Sequence, residues 1–189
     1  MLDFEEIYEK VKNTLSEKRF YHSKCVMEAC IELAKIYGED VENAKIAGIV
    51  HDIAKEIPKE DRIKLAEGKY GIKLDEVEKE SKGLIHAKLG AAICEKDLGL
   101  SKDICEAVKY HTTAKENMTL LQKILYVADT ISLDRNYSNT EKARKLAKEN
   151  LDETVEFIIA FTIEERIRTK KTVHLDSVRA LNYLIIKNN

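Results

Sequence analysis

Residues 41–54 read VENAKIAGIVHDIA, and this stretch decides the fold. Val41, Ala44, Ile46, Ala47, Ile49, Val50 and Ile53 make it apolar almost all round, the pattern of a helix in the centre of a bundle. Its C-terminal end therefore delivers His51 and Asp52 from inside the core. An unpaired carboxylate in such surroundings is costly, so Asp52 needs a compensating partner. Pro58 disfavours helical geometry at Ile57 and ends the segment within a turn of the pair.

Outward from that helix the same periodicity recurs. The chain has one proline and seven glycines, with no strand-like alternation, which predicts an all-α helical bundle with short connectors. Asp3 and Glu6 form a capping box for a first helix running to about Lys18. A second, over His22–Tyr37, carries two apolar faces, one through Val26, Cys30 and Leu33 and one through Cys25, Ala29 and Ile36. The polar stretch Lys59–Lys82, broken by Gly68 and Gly71, predicts two short surface helices about a loop. Further helices are expected over Leu84–Leu98, from the Ser101 cap to Tyr110, and from the Thr119–Gln122 capping box through Ile131. One long amphipathic helix over Thr140–Arg166, started by Ser138 and Glu141, and a last one over Leu175–Lys187 complete the chain. Their stripes permit a homodimer interface without requiring one, because the same stripes fill a monomer core.

Composition narrows the class. At 189 residues the chain fits a single domain with one well-filled core. Thirty-two Lys plus Arg against thirty-four Asp plus Glu give a net charge of -2, so no bulk attraction to nucleic acid or membrane follows. No apolar run approaches membrane-spanning length and the opening MLDFEEIYEK is acidic, which points to the cytoplasm. Cys25, Cys30, Cys94 and Cys105 lie in apolar helical segments without C-x-x-C spacing, as buried thiols do.

Four of the five histidines fall in one series: His22, His51-Asp52, His86, His111, then Asp129. Neutral imidazoles and carboxylates hold iron, manganese, cobalt or zinc, and a site with open positions makes bound water a nucleophile near neutral pH. Each residue also has a plainer use. Asp52 can pair with a histidine to organise the core, Asp129 can pair with an arginine, and His22 at a helix start can be merely exposed. Lys55, one turn after His51, can direct its ammonium to an anion at the metal or into solvent. Thr112 and Thr113 offer hydroxyls suited to phosphate or to a turn. Six independent plain uses holding together is the less economical reading, and hydrolysis leads.

The strings His51-Asp52-Ile53-Ala54-Lys55, Gly83-Leu84-Ile85-His86-Ala87, Tyr110-His111-Thr112-Thr113 and Tyr126-Val127-Ala128-Asp129 with Arg135 are similar to the YqeK family of HD-domain metal-dependent phosphohydrolases. The resemblance runs from His22 to Arg179, and HDxAK with HTT is far more specific than HD alone. It implies an HD-domain bundle spanning 1–189, with a metal-site core at 20–135 and helices at 140–187 packed on it. It implies symmetrical hydrolysis of diadenosine tetraphosphate to two ADP. It further implies one or two divalent or trivalent ions, iron foremost with manganese and cobalt as alternatives, held by His22, His51, Asp52 and Asp129. His86 and His111 would complete a second metal position or bond the leaving phosphate, and Asp52, Lys55, His86 and His111 would carry the catalysis. Thr112 and Arg135 would join them around the nucleotide, with Lys170, Lys171, Thr172, Val173, His174, Leu175 and Arg179 closing over it. Where the family carries a Phe-Pro-Gly-like loop, this chain has Ile131-Ser132-Leu133-Asp134-Arg135-Asn136-Tyr137. Two rivals remain: an HD phosphohydrolase acting on a nucleoside monophosphate or dNTP, and a non-catalytic ADP-binding sensor.

Overall fold

The computed structural model describes residues 2–81 and 83–188, so Met1, Asn189 and Lys82, the end of the polar stretch, lie outside the described residues. Eleven helices are present among them: α1 (Phe4–Thr14), α2 (Glu17–Tyr37), α3 (Val41–Val50), α4 (Lys59–Lys64), α5 (Glu76–Glu80), α6 (Ile85–Lys96), α7 (Lys102–Tyr110), α8 (Leu120–Ile131), α9 (Thr140–Glu149), α10 (Leu151–Arg168) and α11 (Leu175–Asn188). A π-helical turn, Leu65–Lys69, continues α4. No strand occurs among the described residues, as the all-α reading expects.

Helix α3 is the axis of the packing. Ala44, Ala47, Ile49 and Val50 are fully buried, and α2, α7 and α8 all lie against it. Its closest neighbour is α2, and Gly48 makes that approach feasible: a Cβ there would stand 2.5 Å from Met27 Cα and 2.9 Å from Met27 N. Helix α6 packs on α7, α10 on α8 and α9, and α11 on α10, so the C-terminal helices form an outer layer over α8. All four cysteines are free and buried. No helix among the described residues is long and apolar enough to cross a membrane.

Several expectations need correction, two of them because a side chain caps where periodicity alone runs on. The first helix stops at Thr14 rather than Lys18, since Ser16 caps α2 by accepting from Arg19 N at 3.3 Å. Glu56 fixes that break, accepting from Ser16 N at 2.6 Å and Ser16 Oγ at 2.7 Å. His22 consequently lies in the second turn of α2 and is buried, not at an exposed start. The long helix from Thr140 is two helices: Asn150 turns out of helical geometry and its Oδ1 accepts from Glu153 N at 3.1 Å. Neither does Ser138 start α9; its cap is Asn139, without a side-chain bond. Finally, Ile36 is 45% exposed, so the second apolar face of α2 is only partly covered.

The segment 41–54 is helical only to Val50, then tightens into turns with Ile53 N bonded to Val50 O and Lys55 N to Asp52 O. Gly48→Ala tests the close packing behind it. Helix propensity alone favours Ala by about 1 kcal/mol, but a clash with backbone atoms costs roughly 1–3 kcal/mol or more. The variant should melt several degrees lower than wild type, at roughly 2–4 °C per kcal/mol for a chain of this size.

Candidate metal and nucleotide site

Two histidines are held by the same device. His51 follows the last turn of α3 and bonds through Nδ1 to Gly48 O at 2.7 Å. His111 follows the last turn of α7 and bonds through Nδ1 to Val108 O at 2.6 Å. A carbonyl only accepts, so Nδ1 carries the hydrogen in both rings and Nε2 is left as the lone-pair atom. Burial presses the pKa of His51 down to about 4, which keeps the ring neutral near pH 7.

Asp52, 1% exposed, sits between two groups of partners. Its Oδ2 lies 2.9 Å from Arg19 Nη1, 3.6 Å from His51 Nε2 and 3.9 Å from His22 Nε2. Its Oδ1 lies 3.0 Å from His86 Nε2, 3.6 Å from Lys55 Nζ and 3.7 Å from His111 Nε2. Burial acts to raise the carboxyl pKa, but His51, His111 and His86 outweigh it and hold the group well below its ordinary value. On the far side, Asp129 Oδ1 is 3.1 Å from His22 Nε2 and 4.0 Å from His51 Nε2. Burial again opposes ionisation there, and His22, His51 and Arg135 prevail, so Asp129 is also held well below the carboxylate range.

His86 and His111 face each other with Nε2 atoms 3.1 Å apart, and Lys55 Nζ is 3.2 Å from His86 Nε2. Burial lowers the His86 pKa to about 3 and pulls Lys55 below its usual value, the latter partly offset by Asp52.

These residues fit a metal by an observation independent of their names. His51 Nε2 is buried and makes no hydrogen bond, a costly arrangement unless another group takes its lone pair. Arg135 already places a positive group beside two further donors, with Nη2 2.5 Å from Asp129 Oδ1 and 3.1 Å from His22 Nε2. Donor atoms of His22, His51 and Asp129, and of His51, Asp52 and His111, lie within 4.8 Å of one another. The mixed imidazole and carboxylate set suits iron, manganese, cobalt or zinc.

Reading the sequence by motif missed two residues here. Arg19 lies three residues before His22 on one face of α2, a spacing that was legible. Asp134 bonds His22 Nδ1 through Oδ2 at 2.8 Å, while its Oδ1 accepts from Ser132 Oγ at 2.9 Å. Nothing in the spacing announces Asp134, because the loop that carries it is shaped by Arg144, whose guanidinium bonds Ile131 O, Ser132 O and Arg135 O.

The C-terminal strap, residues 169–175, lies beside Thr112. Thr112, Leu84, Val173 and His174 line one small cavity, and Ser177 Oγ donates to Thr113 O at 2.7 Å. Lys170, at φ 53°, turns the chain, and Lys170, Lys171 and Thr172 line a second cavity with Gly83. Within the strap His174 is spent on protein contacts: Nε2 lies 3.1 Å from Asp75 Oδ2, and Nδ1 accepts from Asp176 N at 3.2 Å. Leu175 is exposed, and Arg179 is an exposed side chain 3.9 Å from Asp176 Oδ1.

Comparison with known proteins agrees with this arrangement. The HD domain family matches residues 19–134. The symmetrical bis(5'-nucleosyl)-tetraphosphatase of Bacillus subtilis is 36% identical over 96% of this chain and 97% of its own. That of Halalkalibacterium halodurans is 33% identical over 94% of each chain. The crystal structure of a predicted HD superfamily hydrolase involved in NAD metabolism from Clostridium acetobutylicum superposes with a TM-score of 0.94 at 36% identity, covering 99% of both chains. With the motif histidines and aspartates gathered about Asp52 and a family match across the helices that carry them, the chain belongs to the HD domain family.

Proposed function

We propose that this chain is a symmetrical bis(5'-nucleosyl)-tetraphosphatase, which adds water across the middle anhydride of diadenosine tetraphosphate and releases two ADP. What supports the reading is a buried cluster of imidazoles and carboxylates with unspent lone pairs, in a chain similar over nearly its whole length to enzymes of that name. The unit is the whole chain, with the metal-site core at 20–135 and the helices at 140–187 packed on it, and its place is the cytoplasm.

His22, His51, Asp52 and Asp129 are the proposed holders of a transition metal, iron in this reading, with His86 and His111 on the other side of Asp52 for a second ion. Such an ion lowers the pKa of water and polarises phosphoryl oxygens. The protein's own groups do the rest. Asp52 offers one oxygen to each side of the centre, so it fixes the spacing of everything around it. Lys55, 31% exposed and 3.6 Å from Asp52 Oδ1, turns its ammonium to the phosphoryl oxygens and neutralises charge that grows on them. In place of a second ion, His86 lies where it can donate to the departing phosphate, with the Nε2 lone pair of His111 3.1 Å from its Nε2. Thr112, Arg135, the strap Lys170–Lys171–Thr172–Val173–His174–Leu175 and Arg179 are the proposed nucleotide contacts. For His174 the contact runs through its backbone, since both ring nitrogens are engaged.

Asp134 belongs to the same machinery as a positioning residue. By accepting from His22 Nδ1 it fixes the ring so that Nε2 faces Asp129, the arrangement in which an outer carboxylate raises the basicity of a ligating histidine.

Incubation of the metal-loaded protein with diadenosine tetraphosphate should give ADP as the sole nucleotide product on chromatography. AMP with ATP, or no reaction, would hand the site to another nucleotide. Asp52→Ala should lose both bound metal and turnover, and an unchanged rate in that variant would dismiss the mechanism. Asp134→Ala should weaken metal binding roughly tenfold to a hundredfold in a competitive chelator titration; an unaltered affinity removes Asp134 from the site.

A further inference from the structure

Glu78 belongs to a polar segment, yet it is only 3% exposed. A buried carboxylate needs partners, and those of Glu78 tie together three parts of the chain. Its Oε2 accepts from Asp75 N at 3.0 Å while Asp75 Oδ1 accepts from Glu78 N at 2.8 Å, the capping box that starts α5. Its Oε1 lies 2.5 Å from Lys88 Nζ on α6 and 3.8 Å from His174 Nε2 in the strap.

His174, itself buried, is where these parts meet. Its Nδ1 accepts from Asp176 N at 3.2 Å, so the ring hydrogen sits on Nε2, which donates to Asp75 Oδ2 at 3.1 Å. His174 O accepts from Ser177 N at 3.1 Å, and Ser177 Oγ in turn donates to Thr113 O. The bonds to Asp75 and Thr113 bridge 99 and 64 positions in the chain. By contrast, the strap's bonds to the end of α10 are short-range: Arg166 Nε donates to Thr172 O and Lys171 N donates to Arg166 O. Asp75 thus fixes the far end of the strap from outside the two helices that the strap connects. What that end faces gives the contact its consequence. Val173 and His174 line one cavity with Thr112, whose Oγ1 is buried and makes no hydrogen bond. An unspent hydroxyl there is available to a ligand, and the place at which His174 is held sets how the strap stands across from it.

We propose that Asp75 is a positioning residue for the reaction, which through its bond to His174 clips the strap opposite Thr112, with the Glu78–Lys88 pair bracing the clip from α6. Resting on the reaction reading above, this gives α5 control over how tightly the substrate is held, although no motif residue lies in 59–81.

Asp75→Ser keeps a capping oxygen for α5 but is too short to reach His174 as well. His174→Asn keeps an acceptor for Asp176 N and lacks the Nε2 donor. Asp75→Ser should raise KM for diadenosine tetraphosphate roughly tenfold and spare kcat, the signature of lost binding common to ground and transition states. His174→Asn should raise KM alike, and the double variant should be no worse than either single one, because both remove the same contact. Losses that multiply, a wild-type KM in Asp75→Ser, or a fall in kcat with KM unchanged, overturn the proposal. Calorimetry with ADP reads the clip without turnover and should show the same non-additive weakening. If wild type produces ADP alone from diadenosine tetraphosphate while all three variants bind ADP as wild type does, the clip fails and the reaction stands. If wild type leaves that substrate intact but ADP binding weakens non-additively in the variants, the reaction fails and the clip stands.

Discussion

One buried carboxylate organises this molecule. Asp52 is ionised in a place from which water is excluded, and the folded state tolerates it only because cations and imidazoles converge on it from separate parts of the chain. Arg19 and His22 come from α2, Lys55 from the turn after α3, His86 from α6 and His111 from the end of α7. Each of those elements has to reach Asp52 with its own register, so the requirement of one charge fixes the relative placement of four helices. The closeness of α2 to α3 at Gly48 belongs to the same constraint, since it brings Arg19 and His22 within range of Asp52.

The histidines show how helix ends are put to use. A helix terminus leaves carbonyls without intrahelical partners. At the ends of α3 and α7 a histidine ring donates to a carbonyl of the last turn, which sets the ring tautomer; Val108 O also accepts from His111 N at 3.5 Å. The lone pair that remains on Nε2 then points inward. Structural need and chemical need are met by the same hydrogen bond, which explains why both rings sit just past a last helical turn.

Much of this was legible in the sequence, and the reason is physical. Apolar periodicity around His51-Asp52 put the pair in the core, and an ionisable pair in a core implies partners that the remaining histidines and Asp129 supply. Capping boxes at Asp3 and Thr119 located helix starts correctly, because the bonds involved are local. The misses at Ser16 and Asn150 are of the same local kind: a capping residue inside a continuing amphipathic pattern was outweighed by the pattern. Asp134, by contrast, was out of reach. Its bond to His22 spans 112 positions in the chain and depends on a loop pinned by Arg144.

The distribution of charge around the centre suggests how the resting site becomes a working one. Asp52, Asp129 and Asp134 face Arg19, Lys55 and Arg135, and the imidazoles of His51 and His86 between them are neutral. The acids and bases are not equally accessible: the Asp52 side chain is 2% exposed, whereas Arg19, Lys55 and Arg135 are 27%, 31% and 21% exposed. Asp52 therefore forms the floor, and Asp129, at 23% exposed, stands level with the cations nearer the mouth. Arg135 is held besides by Nε, which donates to Asp129 O at 3.0 Å, and by Nη1 on the Tyr137 hydroxyl at 2.6 Å, while Lys55 Nζ lies 3.2 Å from His86 Nε2. On the proposed function, a polyphosphate arriving from solvent would meet those partly exposed cations before it reached Asp52.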